Sequence, residues 1–362
     1  METKLFKIAE RFQIDGEIKD IKPLGEGFIN DTYILTTVSA DSPNYLMQRK
    51  NKNIFTDVPA MMDNIERITQ HLKTKIHEQG GDPMREAMTV TKTKDGKLYY
   101  KDEEGEFWAL CLFIQGSVTH EAADTPELAY AGGKGIGKFQ SMTSDFKGSL
   151  KDILPGFHNI RFRFKQWDEV LAKDPVGRKK ELAREISWIE DRRDEMLAFW
   201  QLVEDGTIPT RVTHNDTKIN NILFDDKGDV LCVIDLDTVL SSTVLNDFGD
   251  AIRSYTNTGL EDDKDLEKVS MDIDIFTAYT KGYLSETKSF LTQPEIDHLA
   301  FSAKYITYEQ VLRFLMDYID GDNYYKIKYP QHNLVRTHAQ YKLLQSIESQ
   351  YQKMKEVVKA NV

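Results

Sequence analysis

The hydrophobic pattern changes character about a third of the way along the chain. Residues 20–50 alternate apolar and polar positions in three short runs, IKPLGEGF, DTYILTTV and YLMQRKN, the last two separated by a turn at 41–44. Period-two alternation bounded by turn residues predicts strands. Residues 57–78 switch to apolar spacings of three and four beginning near a proline, which predicts a helix. MTVTKT, a KDGK turn, KLYYK and the very apolar FWALCLFI then read as further strands. After Gly116 the three-and-four spacing dominates, and helices are expected over 126–143, 178–204, 263–284, 293–318 and 334–359. One β element interrupts them: NILF, an acidic Gly-containing turn DDKGD, and VLCVIDLD, a hairpin. The opening METKLFKIAERFQI reads as an amphipathic helix.

This pattern predicts an α+β chain of two lobes. The small β-rich lobe, residues 1–115, is an antiparallel sheet plus one helix. The larger helical lobe spans 116–362. A cleft between lobes is a favoured ligand position. The 362 residues are too many for one small core.

Composition narrows the functions. The net charge of −12 disfavours a nucleic-acid partner, because a polyanion gains nothing from an acidic surface. An anionic nucleotide would need local cations or a metal. No stretch reaches the roughly 18 apolar residues of a membrane span, and the opening residues lack a secretion-signal pattern. A cytoplasmic protein with no membrane or nucleic-acid partner is therefore expected, as a monomer or weak homodimer. The two cysteines, Cys111 and Cys232, sit in apolar runs and read as small buried hydrophobes.

The chemistry concentrates between residues 212 and 237. His214-Asn-Asp216 is followed by Asn221 five residues after the aspartate, then by Ile-Leu-Phe. Nineteen residues after Asp216, Asp235 ends an apolar strand. Phosphoryl transfer to a hydroxyl needs a carboxylate that orients the nucleophile and accepts its proton. It also needs oxygen ligands for a Mg²⁺ bridging the phosphates. A loop carrying Asp216 and Asn221, backed by a hairpin that delivers Asp235, can supply both. Upstream, Gly25 and Gly27 in Leu-Gly-Glu-Gly-Phe-Ile-Asn lie between two strands. There they form either a plain turn or a backbone folded close over phosphates. A second glycine run, Gly132 to Lys138, nearly matches a P-loop. Phe139 stands where the Mg²⁺-binding hydroxyl belongs, and a helical pattern precedes it, so it reads as a helix packed closely on a neighbour.

The H-x-D-x-x-x-x-N run followed by an Ile-Asp strand resembles the catalytic loop of the protein-kinase-like superfamily, in its aminoglycoside phosphotransferase and choline kinase branch. The resemblance implies ATP and Mg²⁺ as cofactors. It implies Asp216 as catalytic base, Asn221 and Asp235 as metal ligands, and His214 as the loop's structural histidine. Asp250 would brace the loop. The literal Asp247-Phe-Gly lies too late to be the metal motif. Nucleotide contacts would come from Gly25, Gly27, Asn30 (in place of a third glycine), Thr32 and a cation on the YLMQRKN strand. Gln48 and Arg49 match the usual lysine position and Lys50 is one residue further on; Arg49 is the expected cation. Its acidic partner would be Glu66, or Asp63, and either could equally be a solvated helix charge.

The similarity reaches further in Gly27-Phe-Ile-Asn-Asp-Thr-Tyr, His214-Asn-Asp-Thr-Lys, Ile234-Asp-Leu-Asp-Thr, Asn246-Asp-Phe-Gly-Asp-Ala-Ile-Arg and Arg313-Phe-Leu-x-Asp-Tyr. These resemble the N-acetylhexosamine 1-kinases. That implies transfer to the anomeric hydroxyl of an N-acetylhexosamine, with Arg313, Tyr325 and His214 as substrate-side residues. Arg313 lies within an apolar helix pattern, so it needs either Asp317 at i+4 or a ligand. An aminoglycoside, choline or homoserine acceptor is the alternative within the same fold. A non-catalytic nucleotide binder is the alternative outside catalysis.

Overall fold

The computed structural model describes residues 2–25 and 29–362, with side chains from residue 4 onward. The chain divides into two compact units. One comprises Met1–Thr119, Asp145–Leu154 and Asn221–Ser241; the other comprises His120–Ser144, Pro155–Asn220 and Ser242–Val362.

The first unit opens with helix α1 (Glu2–Ala9) and strands β1 (Ile18–Pro23), β2 (Asp31–Thr37) and β3 (Tyr45–Lys50). Helix α2 (Val58–Glu78), the single turn α3 (Pro83–Glu86) and strands β4 (Val90–Thr91), β5 (Tyr100–Lys101) and β6 (Phe107–Leu112) follow. The sheet is antiparallel in the order β1-β2-β3-β6-β4, with β5 also on β6. Alternation gives it two distinct faces. Tyr45 and Met47 of β3 join Leu35, Trp108 and Leu110 in a buried cluster with Leu5, Ile8 and Ala9 of α1. Leu46, Gln48 and Lys50 therefore point to the opposite face. Helix α2 starts where Asp57 accepts the Ala60 N–H at 3.0 Å and buries Met61, Ile65, Ile68, Leu72 and Ile76 along one stripe.

The late hairpin belongs to this unit. Strands β8 (Ile222–Phe224) and β9 (Val230–Val233) pair antiparallel. The Asp225 carboxylate closes their turn by accepting the Lys227 and Asp229 N–H groups, each at 2.9 Å.

The second unit contains strand β7 (Arg211–Thr213). Its helices are α4 (Pro126–Thr143), α5 (Ile160–Lys173), α6 (Ala183–Glu190), α7 (Arg193–Glu204), α8 (Val244–Tyr255), α9 (Ile273–Thr287), α10 (Gln293–Asp320) and α11 (His332–Asn361). The glycine run of α4 is a packing device, as its pattern predicts. A Cβ on Gly133 would lie 2.2 Å from the Tyr279 carbonyl oxygen, and one on Gly282 would lie 2.0 Å from that of Tyr130. Helices α4 and α9 touch backbone to backbone, which no larger residue permits.

Four stretches depart from the sequence pattern. The helix expected over 178–204 is broken, because Arg192 leaves the helical path. One of its guanidinium nitrogens caps the Trp188 carbonyl at 3.0 Å while the others grip Glu348 at 2.7 and 2.8 Å. The helix expected from residue 263 begins only at Ile273, where Asp272 accepts the Asp274 and Ile275 N–H groups. Helices α5 and α8 have no counterpart in the expected pattern. Helix α8 places Val244, Leu245, Phe248, Ala251, Ile252 and Tyr255 at helical spacing, so its pattern is present in the sequence; its polar residues Asn246, Asp247, Asp250 and Arg253 are buried as well. Among the described residues no helix is long and apolar enough to cross a membrane.

Candidate active site

The H-x-D-x-x-x-x-N motif and the Ile-Asp that follows it fall in both units: His214 to Asn220 lie in one, and Asn221 and Asp235 in the other.

In the second unit two aspartates of α8 hold the 213–217 loop by its backbone. Asp247 accepts the His214 N–H at 2.9 Å on one carboxylate oxygen and the Asn215 N–H at 2.7 Å on the other. The Gln140 amide also donates to it at 2.8 Å. Asp250 accepts the Thr217 N–H at 3.0 Å and the Arg253 guanidinium at 3.0 Å. These bonds hold Asn215 at φ 65°, a left-handed conformation unusual for a residue with a side chain. Their electrostatics differ. Burial pushes the Asp247 carboxyl upward despite the N–H groups on it. Burial also opposes charge on Asp250, but Arg253, Lys218 and His158 outweigh it and hold that carboxyl below its ordinary value. The literal Asp247-Phe-Gly is thus a loop brace, a role its position in the sequence does not announce.

Asp216 itself remains partly exposed, with its side chain 25% accessible, and pairs with the Lys218 ammonium at 2.9 Å. Its backbone N–H donates to Nδ1 of His214 at 3.2 Å. The expectation of His214 at the substrate meets a ring with no exposed surface, packed edge-on to Phe139 at 5.9 Å. A histidine so enclosed supports the loop from beneath.

On the same unit Arg313 of α10 sits among aromatic rings. Its guanidinium carbon lies 5.7 Å from the Phe157 ring centre, 5.6 Å from that of Tyr324 and 5.5 Å from that of Tyr325. Its hydrogen bonds, to Gln310 at 3.5 Å and the Tyr324 hydroxyl at 3.4 Å, are long. Asp317, the local alternative partner, instead accepts the Tyr324 and Tyr325 N–H groups and the Asn333 amide. Among the described residues Arg313 forms no ion pair. Nearby, Glu309 is buried with His158 at 2.7 Å and Arg163 at 3.2 Å.

In the first unit the hairpin brings Asn221 and Asp235 to one end. Ile222 pairs with Val233, and the Asn221 carbonyl accepts the Ile234 N–H at 2.9 Å. Asp235 follows directly at φ 58° and ψ 56°, again left-handed. Asn221 and Asp235 each carry a hard oxygen donor of the kind Mg²⁺ takes, an ion that needs few protein ligands when phosphates and water complete its shell. Among the described residues no group of three or more His, Cys, Asp or Glu could hold a metal unaided.

The nucleotide-side expectations have mixed placements. Gly25 is at φ 66° with open space where a Cβ would project. Gly27 lies outside the described residues. Thr32 receives a long bond from Gln48 at 3.4 Å. Asn30 is buried, and its amide donates to Asp237 at 2.7 Å. Arg49 pairs with Asp31, directly opposite on β2, on the sheet face that α1 covers. Lys50 takes the other face, 3% exposed, and its ammonium lies 2.7 and 2.8 Å from the two carboxylate oxygens of Asp237. The structure does not bring Arg49 to the Asp235 turn; a one-residue step along a strand reverses the face. Glu66 pairs with Lys92 at 3.1 Å, not with Arg49, and Asp63 with Lys151 at 3.4 Å. The Lys50–Asp237 pair was missed in the sequence, where the only signal was the second aspartate of Ile-Asp-Leu-Asp.

The same architecture recurs in solved structures. The aminoglycoside phosphotransferase of Alicyclobacillus acidocaldarius subsp. acidocaldarius DSM 446 is 14% identical over 96% of both chains, with a TM-score of 0.59. The amicoumacin kinase hAmiN, in complex with AMP-PNP and Ca²⁺, is 14% identical over 94% of this chain and 93% of its own, at 0.59. The choline kinase of Cryptosporidium parvum Iowa II is 13% identical over 99% of this chain and 98% of its own, at 0.57. At such identities the likeness is one of fold, here the protein-kinase-like fold with a sheet-bearing and a helical lobe. The phosphotransferase enzyme family model matches residues 20–269, more than two-thirds of the sequence, and the chain belongs to this family.

Proposed function

We propose that this phosphotransferase moves the γ-phosphoryl group of ATP to the anomeric hydroxyl of an N-acetylhexosamine, GlcNAc or GalNAc, giving the sugar 1-phosphate. The acceptor oxygen bonds to the γ-phosphorus while the bond to the β–γ bridging oxygen breaks and ADP leaves. Asp216 orients the hydroxyl and takes its proton. An anomeric hydroxyl is more acidic than an ordinary alcohol, so one carboxylate suffices as base. Asn221 and Asp235 would hold Mg²⁺, which supplies charge neutralisation at the phosphates. The bound AMP-PNP and Ca²⁺ of the amicoumacin kinase are in keeping with a nucleotide and a divalent cation here.

The observation that carries the acceptor assignment is Arg313 among Phe157, Tyr324 and Tyr325. Aromatic faces with a donor-rich guanidinium suit a neutral, oxygen-rich ring. Choline or an aminoglycoside would bring a second cation to faces that Arg313 already uses, which like-charge repulsion opposes. The sequence resemblance to N-acetylhexosamine 1-kinases points the same way.

The test is an acceptor panel with purified protein, ATP and Mg²⁺. It contains GlcNAc, GalNAc, their 1-O-methyl glycosides, choline, homoserine and an aminoglycoside, read by phosphorus NMR. The proposal expects phosphate on C1 of an N-acetylhexosamine and none on the 1-O-methyl glycosides. Turnover of choline or an aminoglycoside in preference to both sugars refutes the acceptor while leaving the phosphotransferase assignment intact.

A further inference from the structure

The closed polar network at the end of β3 has a role that neither strand pairing nor nucleotide contact accounts for. Lys50 has three N–H donors. They face three acceptors: the two oxygens of Asp237, at 2.7 and 2.8 Å, and the Gln48 side-chain oxygen at 2.6 Å. No proton remains for a phosphate. Asp237 in turn receives the Asn30 amide at 2.7 Å, and the Asn30 oxygen accepts the Asn51 N–H at 3.0 Å. The pair is 3% and 4% exposed. Burying two charges costs heavily in desolvation, and an apolar pair of similar size is commonly as stable or more so. Such a pair is therefore weak evidence of a stabilising role.

What the network does hold is a turn. Asp237 lies in the short 3-10 segment Leu236–Thr238, which springs from the left-handed Asp235. The turn is fixed at three points: Asn221 takes the Ile234 N–H, Lys50 and Asn30 take Asp237, and the Asn64 amide donates to the Val239 carbonyl at 3.3 Å. A residue with a side chain persists in the left-handed region only where its surroundings over-determine it.

We propose that Lys50 and Asn30 are positioning residues that set the metal-binding orientation of Asp235 through Asp237, so that Asn30, the end of β3 and the metal ligand are held as one body. This rests on Asp235 as a Mg²⁺ ligand. The network acts on the metal, and the nucleotide phosphates receive nothing from Lys50.

The experiment compares Lys50→Met/Asp237→Leu, Asn30→Ala and Asp235→Ala with wild type in the full chain. It reads half-saturating Mg²⁺ for turnover at saturating ATP, ATP affinity by calorimetry in EDTA, and thermal midpoint. The double variant removes both charges together, so it should fold. Its half-saturating Mg²⁺ should rise about tenfold or more, as loss of groups that orient a metal ligand does, with metal-free ATP affinity unchanged. Asn30→Ala should rise in the same sense by a smaller factor, and it keeps the test open if the double variant fails to fold. Unchanged Mg²⁺ dependence in a folded variant overturns the proposal. So does a loss of metal-free ATP affinity without a change in Mg²⁺ dependence, which would make Lys50 a phosphate contact. If Asp235→Ala keeps wild-type Mg²⁺ dependence, the metal-ligand reading itself fails.

Discussion

The Asn215 N–H donates to Asp247 at 2.7 Å, with the other carboxylate oxygen taking the His214 N–H. That single carboxylate holds two consecutive backbone groups immediately ahead of Asp216. An amide in its place offers one oxygen and sets an NH₂ against a backbone N–H. A buried donor left without an acceptor costs about 1–3 kcal/mol. Asp247→Asn should therefore lower kcat by about ten- to a hundredfold through a displaced loop, with ATP affinity retained. Steady-state kinetics beside calorimetric ATP binding checks it.

Helices α4 and α9 leave no room at Gly133. The Cβ of an alanine would overlap the Tyr279 carbonyl oxygen, and backbone cannot swing aside as a flexible side chain can. Gly133→Ala should destabilise by about 3 kcal/mol, at the upper end of overpacking effects. Gly177, with no atom near its Cβ position, provides a contrast in which only the cost of a positive φ applies. Urea unfolding of both variants measures the difference.

Glu309 makes stability depend on pH. Burial by itself would raise its carboxyl, but His158, Arg163 and Arg313 outweigh that and hold it at about 2, against 4.5 ordinarily. The native state thus binds the proton less tightly than the unfolded chain. The stabilisation is complete above about pH 4.5 and is lost as pH falls from there towards 2. It amounts to about 3 kcal/mol. Unfolding free energies of wild type and Glu309→Gln should converge by that order over this window. A gap constant with pH would show the charge to be unimportant.

The family-bearing motif was legible because it is local: His214, Asp216 and Asn221 fall within eight residues, and Asp235 follows the next hairpin. The helical identity of the Gly132–Lys138 run could likewise be read from the residues before it. Arg49 was the less readable choice, because β3 presents adjacent residues to opposite faces and only the packing of Tyr45 and Met47 against α1 settles which face is which. The partner of Lys50 lies 187 residues away, beyond any local pattern. Asp247 stands too late in the chain to bind metal. Its true partners are backbone N–H groups, which nearly every residue has and no sequence advertises. Helix α5, by contrast, was available: Ile160, Phe164 and Trp167 mark one buried face behind an Asn159 cap.

The central claim is that Asp216 takes the acceptor's proton. Asp216→Asn, assayed for kcat with saturating ATP, Mg²⁺ and acceptor beside its ATP dissociation constant, tests it most directly. The account predicts kcat lower by about a thousandfold, the scale of a lost general base, with ATP affinity within about a factor of two. Turnover close to wild type in the Asp216→Asn protein would contradict it.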